Sequence, residues 1–220
     1  MGVLDLLLPD RCAGCGAQGE SFCGACQGGV SRLEAPLCDA CGAPVAWPVA
    51  RCRECSGRRL AFDRARAAAR YEGVTVRLVG SWKGGRRSLA RVAATVIADV
   101  VPPPRVEALA FVPAVSSRLL WRGHNPAERL ARELAVVWRL PVAPVLARTA
   151  SRRPQRGLSS RDRRGNVAGA FVAVAVVPES IALVDDVYTT GATANEAART
   201  LRRGGARRVE VVTLARALRR

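Results

Sequence analysis

No apolar run in this sequence of 220 residues is long enough to cross a bilayer. The two longest runs, 92–101 and 168–177, reach about half of the roughly 20 residues that a membrane-spanning helix needs. Residues 1–9 contain three consecutive leucines, but they lack the basic start and the cleavage pattern of a signal peptide. We therefore expect a soluble, cytoplasmic protein, and its 49% apolar content excludes wholesale disorder.

Acidic residues are in short supply, because 18 stand against 35 basic residues and the formal net charge is +17. The imbalance is confined to one part of the chain. Residues 1–60 hold six basic and six acidic residues, whereas residues 61–220 hold 29 and 12. An excess of this size favours a partner that carries phosphate, either a nucleotide or a nucleic acid. The alternative is an ordinary solvated basic surface.

Cysteine is absent after residue 55, and the eight cysteines before it all occur in C-x-x-C pairs. The pairs are Cys12/Cys15, Cys23/Cys26, Cys38/Cys41 and Cys52/Cys55. Disulfides are not expected without an export signal. A C-x-x-C knuckle turns both sulfurs towards one metal, so the eight thiolates predict two structural zinc sites with four sulfur ligands each. The spacing leaves open whether the pairs combine sequentially or in a cross-braced arrangement.

The composition divides the chain into a double zinc-ribbon module over residues 1–58 and a second domain over residues 59–220. The module has few bulky apolar side chains and needs its metal to fold. The second domain alternates strands with helices, which predicts an α/β fold with a parallel, doubly wound sheet. Strands are expected at 65–71, 108–112, 144–147, 171–177, 181–184 and 209–214, and helices at 74–79, 89–100 and 193–203 and from an Asn125-Pro126 start.

Two adjacent carboxylates follow the apolar strand at 181–184. This strand delivers Asp185 and Asp186 to its carboxyl end, which is where open α/β sheets bind ligands. Each carboxylate can accept hydrogen bonds from a pair of neighbouring hydroxyls, as in a ribose.

Small and hydroxylated residues then lead directly into a helix. Hydroxyls and the N–H groups of a helix N-terminus bind anions, and glycine lets the backbone come close to a phosphate. Carboxylates followed by an anion site form the layout for a ribose 5-phosphate. The alternative is that one acid and one threonine are ordinary helix caps. The anion-binding candidates are Thr189, Thr190, Gly191, Ala192 and Thr193.

The run D-D-V-Y-T-T-G-A-T resembles the phosphoribosyl pyrophosphate (PRPP) motif of type I phosphoribosyltransferases. The chain as a whole is similar to the ComF family, the competence-associated members of that group. The cysteine-rich start contributes to the likeness, as do three further segments. They are Trp82-Lys83-Gly84-Gly85, Arg122-Gly123-His124-Asn125 and Gln155-x-Gly157-Leu158-Ser159.

The resemblance implies a type I phosphoribosyltransferase-like sheet and assigns roles to particular residues. Asp185 and Asp186 would be the catalytic residues that hold the ribose hydroxyls, and residues 189–193 would hold the 5-phosphate. Mg²⁺ would accompany PRPP, and the loop at 113–118 would lie near the pyrophosphate. The remaining substrate-binding candidates are Lys83, Arg118 and Arg122.

Three features leave alternatives open. The segment 148–166, which has six arginines and one aspartate between Arg152 and Arg164, is either a lid over the pyrophosphate, a single-strand binding element or a solvated loop. Trp82 and Trp121 lie beside cations, as in base-stacking grooves, or they fill gaps under loops. His124, the only histidine, is expected to be packed or at the surface rather than a general base.

The resemblance thus implies a protein that binds PRPP and Mg²⁺ and acts in DNA uptake, and it leaves open whether a phosphoribosyl group is transferred to an unidentified acceptor. The alternative is a non-catalytic accessory protein. It would bind single-stranded DNA and dock a helicase-like competence protein through its zinc module.

Overall fold

The computed structural model describes residues 10–115, 123–149 and 168–218. The helices are α1 (Gly24–Gly28), α2 (Gly73–Lys83), α3 (Leu89–Val100), α4 (Pro126–Trp138) and α5 (Ala192–Arg203). The strands are β1 (Arg64–Arg70), β2 (Ala108–Phe111), β3 (Leu146–Arg148), β4 (Phe171–Ala173), β5 (Ser180–Tyr188) and β6 (Arg208–Arg216).

Four parallel strands in the order β1-β6-β5-β2 form the central sheet, which confirms the predicted α/β fold. Residues 181–184 of β5 are fully buried, as expected of a central strand covered on both faces. Helix α3 packs against β1 and β6, α4 against β2 and β5, and α5 against β5 and β6. All four strands point the same way, so their carboxyl ends meet at one edge of the sheet.

Local signals place the helices that border this edge. The Asn125 side chain accepts a hydrogen bond from the Ala127 N–H at 3.1 Å, and Pro126 occupies the first turn of α4, as predicted. Helix α2 is longer than the single turn expected near 74–79, because buried Leu78, Val79 and Trp82 continue its apolar face.

Strands β3 and β4 form a separate antiparallel pair and do not join the parallel sheet. In β4 the burial alternates, since Phe171 is 6% exposed and Val172 is 44% exposed. One wet face is typical of an antiparallel pair, whereas parallel strands are covered on both faces. The strand pattern was therefore recognisable in the sequence, but the direction of pairing was not.

The cysteine-rich module covers the outer edge of β1. Backbone hydrogen bonds join the Ala65 N–H to the Ala40 carbonyl at 2.9 Å and the Leu33 N–H to the Ala68 carbonyl at 2.8 Å. An uncovered edge strand is prone to pair with other chains, so this contact protects the sheet. Across the three described ranges, no helix combines the length and apolarity needed to cross a membrane.

Candidate functional site

The eight cysteines form two clusters, each built from pairs that follow one another in sequence. The first ribbon contains Cys12, Cys15, Cys23 and Cys26, and the second ribbon contains Cys38, Cys41, Cys52 and Cys55. In both, the sulfur atoms lie within 4.8 Å of one another. This arrangement decides between the two pairings that the spacing left open.

The sulfur distances fit tetrahedral zinc. The Cys12–Cys23 and Cys38–Cys55 sulfur pairs are each 3.6 Å apart, and the Cys41–Cys52 pair is 3.5 Å apart. Four ligands at about 2.3 Å from one zinc would be spaced about 3.8 Å apart, whereas a disulfide would bring two sulfurs to about 2 Å. Each cluster is therefore a zinc site with four cysteine ligands, as predicted.

Backbone N–H groups stabilise the ionised form of one cysteine in each ribbon. Burial raises the pKa of Cys12, but hydrogen bonds from the N–H groups of Cys23, Cys15 and Gly14 outweigh it and lower the pKa to about 6. Comparable backbone hydrogen bonds offset burial at Cys38 and lower its pKa to about 7. Ionised sulfur is the form that binds zinc, so these amides favour metal binding near neutral pH.

Asp185 and Asp186 lie in β5 near the carboxyl edge of the sheet. The strand continues past residue 184, where the sequence predicted its end, because Val187 and Tyr188 still pair with β6. Lys83, at the end of α2, places its Nζ atom 2.7 Å from Asp186 Oδ1. The structure thus brings together three of the predicted site residues from distant parts of the chain.

Asp185 is the titratable group most changed by this environment. Burial raises its pKa to about 8, and the neighbouring Asp186 carboxylate adds to the effect. Three smaller effects lower the pKa of Asp185. They are the hydrogen bond that the Asp186 N–H donates to Asp185 Oδ1 at 2.9 Å and the positive charges of Lys83 and Arg148. A carboxyl group held in its neutral form at a sheet edge is typical of a ligand site.

These side chains open into the aspartate cavity, which has a volume of about 300 Å³. Its wall includes Lys83, both aspartates, residues 113–115 and two residues without a predicted contact to ligand, Asn125 and Arg148. Asn125 Nδ2 donates to the Val112 carbonyl at 3.2 Å, and Arg148 Nε donates to the Pro113 carbonyl at 3.3 Å. Arg148 was predicted only as the start of the arginine-rich segment.

The threonine loop, residues 189–191, joins β5 to α5. Thr190 Oγ1 accepts from the Ala192 N–H at 3.3 Å, and Thr189 and Thr193 line the aspartate cavity. Helix α5 has no acidic residue in its first turn, so the positive end of its dipole is not neutralised locally. The loop and helix together can hold an anion beside the two aspartates.

Gly191 is required by the space that Tyr188 occupies. Its φ of 70° lies in the left-handed region, and a Cβ atom there would overlap the Tyr188 hydroxyl. The sequence predicted close approach to a phosphate as the reason for glycine, and the structure adds this second reason. Tyr188 is 4% exposed, and its hydroxyl has no hydrogen-bond partner among the described residues.

The cysteine-rich module also reaches the threonine loop, which the sequence did not predict. Arg58 Nη2 donates to the Thr190 carbonyl at 2.8 Å, and just after the module the Ala61 N–H donates to Asn195 Oδ1 of α5 at 2.7 Å. These are contacts between residues more than 130 positions apart in the chain. No local motif carries such information.

Trp82 is fully buried and therefore cannot stack on a base, so the gap-filling alternative is correct for it. His124 is 7% exposed, in agreement with a packed histidine. Arg118, Arg122, Trp121 and most of the arginine-rich segment lie outside the described residues.

Comparisons with known proteins identify the cysteine-rich module directly. The family model of the double zinc ribbon domain matches residues 3–56, in agreement with the two sulfur clusters. Among solved structures, glutamine PRPP amidotransferase from B. subtilis, complexed with ADP and GMP, has a TM-score of 0.39 at 20% identity and covers 60% of this chain and 26% of that chain.

Curated relatives match nearly the whole chain. DNA utilization protein YhgH of Salmonella typhimurium is 31% identical over 90% of this chain and 91% of its own. Competence protein F of Haemophilus influenzae is 30% identical over 98% of this chain and 94% of its own length. Since this likeness extends over the zinc ribbons, the sheet and the aspartate cavity, the chain belongs to the competence protein F (ComF) family.

Proposed function

We propose that this protein binds PRPP with Mg²⁺ in the aspartate cavity and acts in DNA uptake. The observation that supports PRPP as the ligand is that Asp185, Asp186 and the threonine loop line one cavity at the carboxyl edge of the sheet. The role in DNA uptake rests on the names of the relatives, which are a competence protein and DNA utilization proteins.

Each part of PRPP has a matching group in the cavity. The Asp186 carboxylate and the Asp185 carboxyl group would accept hydrogen bonds from the ribose hydroxyls, and the threonine loop would hold the 5-phosphate. Lys83 and Arg148 place two cations on the same wall and would attract the pyrophosphate. Lys83, paired with Asp186 in the structure, would exchange this partner for the ligand.

The oxygen donors of the cavity are of the kind that magnesium accepts. When bound with PRPP, Mg²⁺ supplies charge neutralisation to the pyrophosphate and thereby favours its departure. The protein's own contribution is to hold the ribose by two carboxyl groups and to offer cations to the phosphates. Transfer to an acceptor would follow from this binding mode.

Calorimetric titration of the zinc-loaded protein with PRPP and Mg²⁺ tests the proposal. The double variant Asp185→Asn, Asp186→Asn should bind at least about 30-fold more weakly, because a hydrogen bond contributes about 1.5–3 kcal/mol to a charged group and about 0.5–1.5 kcal/mol to a neutral one. Asp99→Asn removes a half-exposed carboxylate on α3 and should bind like the wild type. Wild type that does not bind PRPP, or a double variant with unchanged affinity, would overturn the proposal.

A second candidate function, binding of single-stranded nucleic acid, is favoured by an arginine groove between the second ribbon and the amino ends of β1 and β6. The groove has a volume of about 430 Å³, and Arg51, Arg64, Arg66 and Arg208 line it. It lies at the opposite end of the strands from the aspartate cavity, so both ligands could be bound together.

The lining of the groove holds four arginines against three acidic residues, Asp39, Asp63 and Glu210, and Asp63 is already paired with Arg202. Arg64 and Arg208 share one buried carboxylate, that of Glu210, at 2.7 and 2.6 Å. Burial lowers the pKa of Arg66, and the charge of Arg64 adds to this effect. Guanidinium groups in such a groove favour phosphate oxygens as further partners.

Fluorescence anisotropy with a labelled oligothymidine at roughly 50–200 mM salt tests this second function. The double variant Arg51→Gln, Arg208→Gln should weaken binding and flatten the logarithmic salt dependence by about 0.7 per lost phosphate contact. Glu210 keeps Arg64 as a partner in this variant. The matched control is the double variant Arg105→Gln, Arg132→Gln, because neither residue lines the groove. It should lose less affinity for the oligothymidine, and equal losses of affinity in the two double variants would contradict a site in the groove.

A further inference from the structure

The second ribbon is connected to the base of the threonine loop by a buried arginine. Arg216, the last residue of β6, is 2% exposed. Its guanidinium donates to the Cys41 carbonyl at 2.6 Å and to Glu54 Oε2 at 2.7 Å, and it lies 3.7 Å from the Cys41 sulfur. One side of this side chain thus rests on a zinc ligand.

The other side of Arg216 supports Tyr188. The guanidinium carbon lies 4.6 Å from the centre of the Tyr188 ring, which is within cation–π range. The hydroxyl of the same tyrosine occupies the space beside Gly191, where no side chain fits. Three groups in contact therefore lead from the zinc site to the start of α5.

Arg58 forms a second and separate connection. Its N–H donates to the carbonyl of the zinc ligand Cys55 at 3.2 Å, while its guanidinium donates to the Thr190 carbonyl at 2.8 Å. Arg51 of the same ribbon donates to the Arg58 carbonyl at 2.7 Å and fixes the backbone there. Two arginines thus connect the second ribbon to the threonine loop. Arg58 reaches it at the Thr190 carbonyl, and Arg216 reaches it through Tyr188 at Gly191.

We propose that Arg216 and Arg58 are positioning residues that make the threonine loop and the second zinc centre one cooperative unit. Loss of zinc from the second ribbon loosens the loop and lowers affinity for the phosphoribosyl ligand. Because coupling between the affinities of two binding sites is reciprocal, ligand binding also raises the affinity of this ribbon for zinc. The expected change in ligand affinity rests on the proposed function, whereas the expected loosening of the loop does not.

Charge explains why the metal matters to Arg216. A centre of one zinc ion and four thiolates carries a net negative charge, and Cys41 brings part of that charge to the buried guanidinium. Without the metal nothing holds the four sulfur atoms of the second ribbon together, so the Cys41 carbonyl and sulfur no longer stay fixed against the guanidinium. A buried cation that loses a partner is strongly destabilised, so Arg216 must move, and Tyr188 moves with it.

Hydrogen–deuterium exchange of the threonine-loop amides, measured with zinc content, tests the coupling without any ligand. Arg58→Gln should keep two zinc ions per chain and increase exchange of residues 189–193 about tenfold. Arg216→Met should increase the same exchange and accelerate chelator-induced release of zinc from the second ribbon. Arg58→Gln keeps the test decisive if Arg216→Met does not fold.

Arg77 offers a matched control. This arginine of α2 donates to the Gly14 carbonyl of the first ribbon at 2.6 Å, so Arg77→Met breaks an equivalent contact at the other zinc centre. The threonine loop of this variant should exchange like that of the wild type. Equal exchange in the Arg58→Gln and wild-type loops, or the same increase in Arg77→Met, would overturn the inference.

PRPP with Mg²⁺ is the probe for the reciprocal effect. In wild type it should protect the zinc of residues 38–55 from a competing chelator at equilibrium, with an affinity for zinc about tenfold higher, and leave the zinc affinity of residues 12–26 unchanged. In Arg58→Gln this protection should be lost. PRPP binding without protection would overturn the coupling alone, whereas absence of PRPP binding with an altered loop in Arg58→Gln would overturn the proposed function alone.

Discussion

At the scale of single residues, the buried carboxyl group of Asp185 in the candidate site lowers the stability of the fold. Its pKa is raised from 3.8 to about 8, so the unfolded chain releases this proton first as pH rises. Stability is therefore lost progressively between about pH 4 and pH 8. Asp185→Asn removes that loss and should raise the free energy of unfolding at pH 8 by about 1–3 kcal/mol.

Urea unfolding of zinc-loaded protein at about pH 6 and about pH 8 measures this effect. The gain from Asp185→Asn should be larger at the higher pH, because only the wild type must keep a carboxyl group protonated against the solvent. Asp99→Asn is the control, since it removes a half-exposed carboxylate whose 3.6 Å ion pair with Arg32 is screened by water. An Asn variant that is less stable than the wild type at the higher pH would show that Asp185 serves the fold and not a ligand.

Tyr188 and Gly191 form a second residue-scale test. Tyr188→Phe removes a buried hydroxyl without a hydrogen-bond partner among the described residues, so stability should stay equal or rise by up to about 1 kcal/mol. Gly191→Ala should cost more than about 1 kcal/mol, because alanine is strained at a φ of 70° and overlaps the hydroxyl. The double variant should recover only the part of this cost that the hydroxyl causes, because a Cβ atom at residue 191 would still overlap ring atoms Cζ and Cε2 and the backbone strain remains. A double-mutant cycle in thermal unfolding measures the recovered part.

At the scale of elements, the success of sequence analysis depends on how local each determinant is. The start of α4 was predictable because Asn125 and Pro126 act within one turn. The cysteine spacing predicted two zinc sites, but not their pairing, which follows from where the chain turns. The end of β5 was missed, since its last residues are kept in the strand by β6 and not by their own sequence.

The cysteine-rich module and β1 provide the element-scale prediction. Deleting residues 1–58 uncovers the N–H groups and carbonyls of β1 that pair with Leu33 and Ala40, and it exposes the apolar face of α2 on which the first ribbon packs. The truncated chain should aggregate or lack native circular dichroism, because an exposed edge strand recruits other chains. A soluble, folded fragment of residues 59–220 would show that the module is only a docking unit.

At the scale of the whole molecule, the two ribbons differ in how they join the rest of the protein. The first ribbon shares one apolar core with the sheet, since Cys12, Phe22 and Cys26 belong to the same buried cluster as Leu78. The second ribbon has a small cluster of its own around Cys38 and Cys55. Stability should therefore be distributed unevenly between the two zinc centres.

Cys26→Ser and Cys55→Ser separate these contributions. Loss of a ligand in the first ribbon should lower the midpoint of global thermal unfolding, because it opens the shared core, and each 1 kcal/mol corresponds to about 2–4 °C in a protein of this size. Loss of a ligand in the second ribbon should shift that midpoint less while increasing amide exchange in residues 38–55 and in the threonine loop. Calorimetry with exchange mapping measures both, and zinc analysis should find one ion in each variant. If Cys55→Ser lowered the midpoint as much as Cys26→Ser, the second ribbon would be part of the global folding unit, and its link to the ligand site would be no more than shared stability.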